Sequence, residues 1–173
     1  GSDLLYSTYL GGGSNDWPFA LAPDGTGGVV VAGWTGSDDF PTTEGVFDGS
    51  LNGAQDAFVA RLSEDGSELL YSTYLGGGVG DGAYALAPDG AGGFIVAGLT
   101  SSNDFPITGD AVDNSQRFGD AFITWLSRGL SDLIYSTYLG GRDEDCATGL
   151  VTDGMGGVVV AGFTNSGDFP TTQ

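Results

Sequence analysis

The feature that most constrains this chain is an internal repeat of about 65 residues that occurs nearly three times. The segment Leu-Leu-Tyr-Ser-Thr-Tyr-Leu-Gly-Gly-Gly runs over 4–13 and recurs at 69–78, and a close copy runs over 133–141. Repeats of this length are supersecondary units that bury their apolar faces against one another. The chain is therefore predicted to be a stack of similar units.

Other motifs recur at the same step and in the same order. They are an Asp-Gly turn, a Val-Ala-Gly-x-Thr run, Asp-Phe-Pro and Asp-Ala-Phe. Because the motifs cover essentially the whole chain, residues 1–173 are predicted to form a single repeat array. Its landmarks recur over 4–68, 69–132 and 133–173.

The segments between the turn motifs predict β-strands. They are rich in β-branched and aromatic residues and are bounded by Gly, Asp and Pro. None has a helical period, so the fold class is all-β. Eleven strands are expected: one strand at 4–10, two sets of four, and two strands of a third set. The first set of four comprises a strand that follows Asp16 and ends at the turn starting at Pro23, then 29–35, 57–62 and 69–75.

The ordered combination of these motifs resembles the SBBP β-propeller repeat family. The resemblance implies four-stranded antiparallel blades, an extracellular or cell-surface setting, and no defined reaction. It also implies that the strand after Asp16 is the innermost of its blade and that 4–10 and 69–75 are outermost strands. About 2.7 repeats are too few to close a propeller, which needs four to eight blades. Unpaired strand edges template further pairing, so we expect self-association, or contact with neighbouring blades of a larger chain.

Charge narrows the classes of partner. The chain has 23 acidic residues against four basic ones and a net charge of −19. Such a charge repels nucleic acids and anionic membrane surfaces. No stretch approaches the roughly 20 apolar residues of a membrane span, so membrane insertion is not expected. The acidity serves solubility or attracts cations, and both interpretations stay open.

Two sets of aspartates recur, one after the Leu-Gly-Gly corner and one in Asp-Phe-Pro. In a four-stranded blade both sets lie on one face. Carboxylates and glycine carbonyls are ligands for Ca²⁺, so these positions are candidate metal ligands. The alternative, which we favour, is that each aspartate caps backbone amides and fixes its loop. The candidates are Asp16, Asp39, Asp81, Asp104, Asp145 and Asp168.

Enzymatic function is not expected. The chain has no histidine, which excludes histidine-dependent catalytic triads. Its single cysteine, Cys146, is interpreted as a small buried residue. A two-carboxylate mechanism remains, but the acids here are repeated, which favours structure. We therefore predict a structural scaffold without cofactors other than a candidate Ca²⁺. The alternative is a module that binds cations, glycans or a protein through the acidic loop face.

Overall fold

The computed structural model describes residues 3–172, which form ten β-strands and no helix. Every paired strand is antiparallel to its neighbour. Among these residues no helix is present that is long and apolar enough to cross a membrane. The strands are β1 (Asp16–Pro23), β2 (Val29–Thr35), β3 (Asp56–Leu62), β4 (Leu69–Leu75), β5 (Asp81–Pro88), β6 (Phe94–Thr100), β7 (Asp120–Leu126), β8 (Leu133–Leu139), β9 (Asp145–Thr152) and β10 (Val158–Thr164).

The strands form three separate sheets, which we call the first, second and third blades. The first blade has the order β1-β2-β3-β4, the second β5-β6-β7-β8, and the third contains β9 and β10. Neighbours in each sheet are consecutive in the chain. Short turns join the first strand to the second and the third to the fourth, whereas a long link joins the second strand to the third. The first strand of a following blade contacts the first three strands of the preceding one. The prediction of four-stranded antiparallel, propeller-type blades is confirmed.

The predicted outermost strand at 4–10 is wrong. This segment has no strand structure, and Leu4, Leu5 and Tyr9 are exposed. Its sequence is identical to that of β4, but β4 is a strand because β3 pairs with it along its length. No third strand lies beside 4–10 among the described residues. The same seven-residue sequence therefore forms a strand at 69–75 but not at 4–10, because only the copy at 69–75 has a neighbouring strand to pair with in the part of the chain that the structure describes.

The core lies between the blades, since each sheet alternates its side chains between two faces. In β2, Val30 and Ala32 point toward the second blade, while Val31 belongs to a cluster on the opposite face. We call the face toward the preceding blade the near face and the other the far face. At the first junction the buried residues include Ala22, Val30, Ala32, Val59 and Leu75 of the first blade and Ala83, Leu86, Phe94, Val96 and Phe122 of the second.

The long link between the second and third strands is anchored by its Asp-Phe-Pro motif. Phe105 packs on Phe122 with ring centroids 4.5 Å apart, and Phe40 makes the matching contact with Phe58 at 4.5 Å. The buried Tyr138 hydroxyl donates a hydrogen bond to the Ser102 carbonyl at 3.1 Å. These anchors hold the link over the end of the blade, where the recurrent aspartates gather.

Candidate functional site

The recurrent aspartates surround a short connection that we call the glycine corner, residues 11–14, 76–79 and 140–143. It leads from the outermost-strand position to the first strand of the next blade. In the second copy, Gly77 N donates to Asp81 Oδ2 at 2.8 Å and Gly78 N donates to Asp104 Oδ1 at 2.8 Å. Thus one aspartate from each recurrent set binds the same corner.

A serine completes the arrangement. Val79 N, the third consecutive corner amide, donates to Ser102 Oγ at 2.9 Å, and Ser102 Oγ donates to Asp81 Oδ2 at 2.9 Å. Sequence analysis did not identify this serine as a recurring residue, although a Thr-x-Ser signal occurs at the end of the second strand of every blade. The recurring serines are Ser37, Ser102 and Ser166.

The other two corners repeat these contacts. Amides donate to the first-strand aspartate at 2.8 and 2.7 Å, to the Asp-Phe-Pro aspartate at 2.6 and 3.0 Å, and to the serine at 2.8 and 2.9 Å. The structure therefore brings all six predicted aspartates together in pairs, one pair per blade, and gives each a capping role. The pairs are Asp16 with Asp39, Asp81 with Asp104, and Asp145 with Asp168.

Close packing explains why the corner uses glycine. A Cβ atom added to Gly77 would lie 2.5 Å from Asp104 Oδ1 and 2.7 Å from Ser102 Cβ. Real side chains do not approach this closely, so any other residue would push the capping groups away from the amides. The corner sequence and the carboxylates form one packed unit.

The two aspartates of each pair differ in exposure. Asp81 is 1% exposed, whereas Asp104 lies at the surface. Burial raises the pKa of Asp81, while its hydrogen bonds, including those from Gly77 and Ser102, oppose the rise. In this pair the inner carboxylate is thus a buried structural group, and the outer one faces solvent.

Metal binding is limited by the same geometry. Calcium takes six to eight oxygen ligands, whereas each pair already directs oxygens at backbone amides. Within residues 3–172, no three histidine, cysteine, aspartate or glutamate side chains come close enough to hold a metal ion together. Calcium binding at the six aspartates stays a prediction.

A second buried acid lies beside the first-strand aspartate at each blade junction. A Cβ atom on Gly140 would overlap both Asp120, which begins β7, and Asp145, which begins β9 of the next blade. Asp56 and Asp81 form the matching pair at the first junction, where the Asp81 charge acts on Asp56. Sequence reasoning used Asp-Ala-Phe as a landmark but did not foresee these pairs.

These junction acids have strongly shifted pKa values. Burial raises the pKa of Asp120 to about 6, and the negative charges of Asp145 and Asp113 contribute to the rise. Burial likewise raises the pKa of Asp56 to about 6. Asp56 accepts hydrogen bonds from Asn52 N and Gly53 N, but Oδ1 of Asp120 is buried without a hydrogen-bond partner. The second junction therefore holds the less satisfied carboxylate.

The aspartates of the Asp-Gly turns, at the opposite end of the blades, make their contacts within their own blade. Asp24 accepts hydrogen bonds from Thr26 N at 2.7 Å and from Arg61 Nε at 2.9 Å. Although burial opposes ionisation, these hydrogen bonds and the Arg61 charge lower the pKa of Asp24 to about 2. Arg61 and Asp24 form a buried ion pair at 2.7 Å.

Cysteine and tyrosine add no reactive group to the corners. Cys146 is 6% exposed, and burial raises the pKa of its thiol to about 11, so the thiol is protonated at neutral pH. Of the recurrent tyrosines, Tyr74 and Tyr138 are buried in the core, whereas Tyr6 and Tyr9 are exposed.

Comparison of the chain with protein-family models gave no match, and comparison with curated proteins gave none either. The resemblance to the SBBP repeat therefore stays a prediction.

Proposed function

We propose that this protein is a non-enzymatic structural scaffold built from propeller-type blades. The observation that carries the proposal is the use of the repeated polar side chains. In each blade two aspartates and a serine bind three consecutive backbone amides of the glycine corner. Because these side chains bind backbone amides of their own blade, they stabilise the repeat, and the same contacts occur at all three glycine corners.

The positions of the shifted acids also favour a structural role. A general acid or base has to reach the proton of a bound substrate. Asp56 and Asp120 carry raised pKa values, but they are 0% and 1% exposed and lie between blades. A substrate has no access to them without separation of the blades.

An extracellular setting is part of the proposal. It rests on the resemblance to the SBBP repeat, and the net charge of −19 suits a surface that stays solvated in salt.

Binding of cations or of a basic partner by the acidic loop face is the second candidate function. The observation in its favour is the exposure of the outer aspartates, Asp39, Asp104 and Asp168. Few arginines compensate this charge: two ion pairs form among the described residues, Arg61 with Asp24 and Arg142 with Asp168. The two functions make different predictions for Asp104.

The experiment compares thermal unfolding of wild type, Asp104→Ala and the exposed control Asp110→Ala, each with Ca²⁺ and with a chelator. A scaffold role predicts that Asp104→Ala loses about 1 kcal/mol from a missing cap, or roughly 2–4 °C. Calcium should shift all three proteins equally. If Ca²⁺ stabilises wild type saturably and Asp104→Ala abolishes that shift, the acidic face is a binding site and the scaffold proposal is wrong.

A further inference from the structure

We propose that two copies of this chain associate head to tail, with the near face of the first blade packed on the far face of the third blade of the other copy. This interface would reproduce the junctions that already exist between blades. It deepens the proposed scaffold function and rests on it, because it supplies the way in which such a scaffold extends.

The far face of the third blade is apolar and open. The ladder pairs Val151 with Val159, and alternation places both on the face opposite Leu150 and Val160, which pack against the second blade. Val151 and Val159 are each 59% exposed. The equivalent of Val159 in the second blade is Ile95, which is 2% exposed. A following blade is what covers this position inside the molecule.

On the near face of the first blade, β1 is open in the complementary way, whereas Val31 and Phe58 of β2 and β3 are buried. Leu21 pairs with Val31 in the ladder and is 70% exposed. Its equivalent in the second blade, Leu86, is 9% exposed because it packs into the first junction beside Val30 and Ala32. The leucine is present in all three blades, and within residues 3–172 no blade covers it in the first.

The two open faces match because each is the repeat equivalent of a face that packs at the first junction, between the first and second blades. At the first junction Val30 and Ala32 of the far face meet Leu86 of the near face. Between copies, Val159 and the exposed Ala161 would take the places of Val30 and Ala32, and Leu21 would take the place of Leu86. A second copy is therefore the partner whose surface has the required shape and chemistry.

The N-terminal segment leaves the contact region of the near face open. Leu10 packs against the near-face cluster that contains Val31, Phe40, Phe58 and Tyr74. Tyr6 lies against the β3–β4 turn at Gly66. The internal junctions are made chiefly by the first strand of the following blade. In the first blade that strand is β1, which carries the exposed Leu21.

The proposed interface joins two different faces, so it is heterologous. Each copy therefore keeps one free face after pairing. Association therefore continues into longer assemblies unless a ring closes. Because each copy carries a charge of −19, mutual repulsion should weaken association at low ionic strength.

Light scattering across a concentration series in 0.5 M NaCl tests the proposal with two blocked variants. Leu21→Asp blocks the near face, and Val159→Asp blocks the far face. Each introduces a charge into an apolar contact and should weaken association about 100-fold. Val112→Asp, at an 87% exposed loop position of the second blade, is the matched control. Circular dichroism verifies that every variant retains its β-structure.

We expect wild type and Val112→Asp to gain mass with concentration, and each blocked variant alone to stay near 17.5 kDa. An equimolar mixture of the two blocked variants should form a dimer and stop there, since it retains one intact face of each kind. A wild type that is monomeric throughout, or a blocked variant that dimerises alone, would overturn the interface. Neither result bears on the response of Asp104→Ala to calcium, which tests the scaffold role separately.

Discussion

Replacing Asp120 by asparagine should stabilise the protein at neutral pH and have little effect near pH 4. Asp120 is 1% exposed, its Oδ1 is without a hydrogen-bond partner, and Asp145 lies beside it across the blade junction. Asparagine has nearly the same shape, keeps an acceptor for the Arg117 amide and carries no charge. Its amide group also supplies a donor next to the Asp145 carboxylate.

The pKa of Asp120 gives the size of the effect. Burial raises it from 3.8 to about 6, and each pKa unit corresponds to about 1.4 kcal/mol between the two protonation states. The ionised form therefore costs up to about 3 kcal/mol at pH 7. We expect Asp120→Asn to recover about 1–3 kcal/mol, because the asparagine amide is not matched perfectly to the site.

The sign of the pH dependence follows from the direction of the shift. The folded-state pKa of Asp120 is raised, so its contribution to stability is fully present below about pH 3.8 and is lost as the pH rises through 6. The pKa of Asp24 is lowered to about 2, so the stability that Asp24 contributes is lost only as the pH falls below about 3.8, outside this range. Wild type should therefore lose stability between pH 4 and pH 7, and Asp120→Asn should lose less.

Urea unfolding followed by tryptophan fluorescence at pH 4.5, 6.0 and 7.5, at constant ionic strength, measures these differences. Asp110→Asn makes the same change in net charge at an exposed position and controls for general repulsion among the acidic residues. The reasoning is refuted if Asp120→Asn destabilises the protein equally at all three pH values, or if Asp110→Asn matches its effect.

Two further substitutions probe the corner and the core. Gly77→Ala should lower the free energy of unfolding by about 1–3 kcal/mol, because the added Cβ overpacks against Asp104. The control is Gly109→Ala, whose Cβ would meet nothing within 4 Å and which should be nearly neutral. Equal effects of the two substitutions in urea unfolding would contradict the packing argument. Phe122→Ala should cost about 3–5 kcal/mol, because the ring is fully buried against Phe105; a loss below about 1 kcal/mol in the same assay would contradict the anchoring role of the link.

The repeat made most of the fold predictable. The expected strands at 29–35 and 69–75 are those of the structure, and the third strand begins one residue earlier than expected, at Asp56. The segment 4–10 shows where prediction from local sequence fails. Its sequence is the same as that of β4 and predicts a strand equally strongly, yet it forms none. Strand structure here depends on a neighbouring ladder, which local sequence does not encode.

The candidate site was predictable in composition but not in full geometry. Recurrence identified the capping aspartates, because capping is local and repeats with the corner. The acid pair of Asp120 with Asp145 was missed, since it forms only when two blades stack and bring the starts of β7 and β9 together. Burial and the unfilled hydrogen bond of Asp120 are likewise consequences of stacking.

Amide hydrogen exchange at the second glycine corner tests most directly the claim that the repeated polar residues hold the framework. Gly77, Gly78 and Val79 lie outside the strands, yet each amide donates to a side chain. We predict that all three exchange far more slowly than the amides of 4–10, and that Ser102→Ala selectively releases Val79. Exchange of the three amides at the rate of unstructured chain would contradict the account, because the aspartates would then be free to serve a ligand.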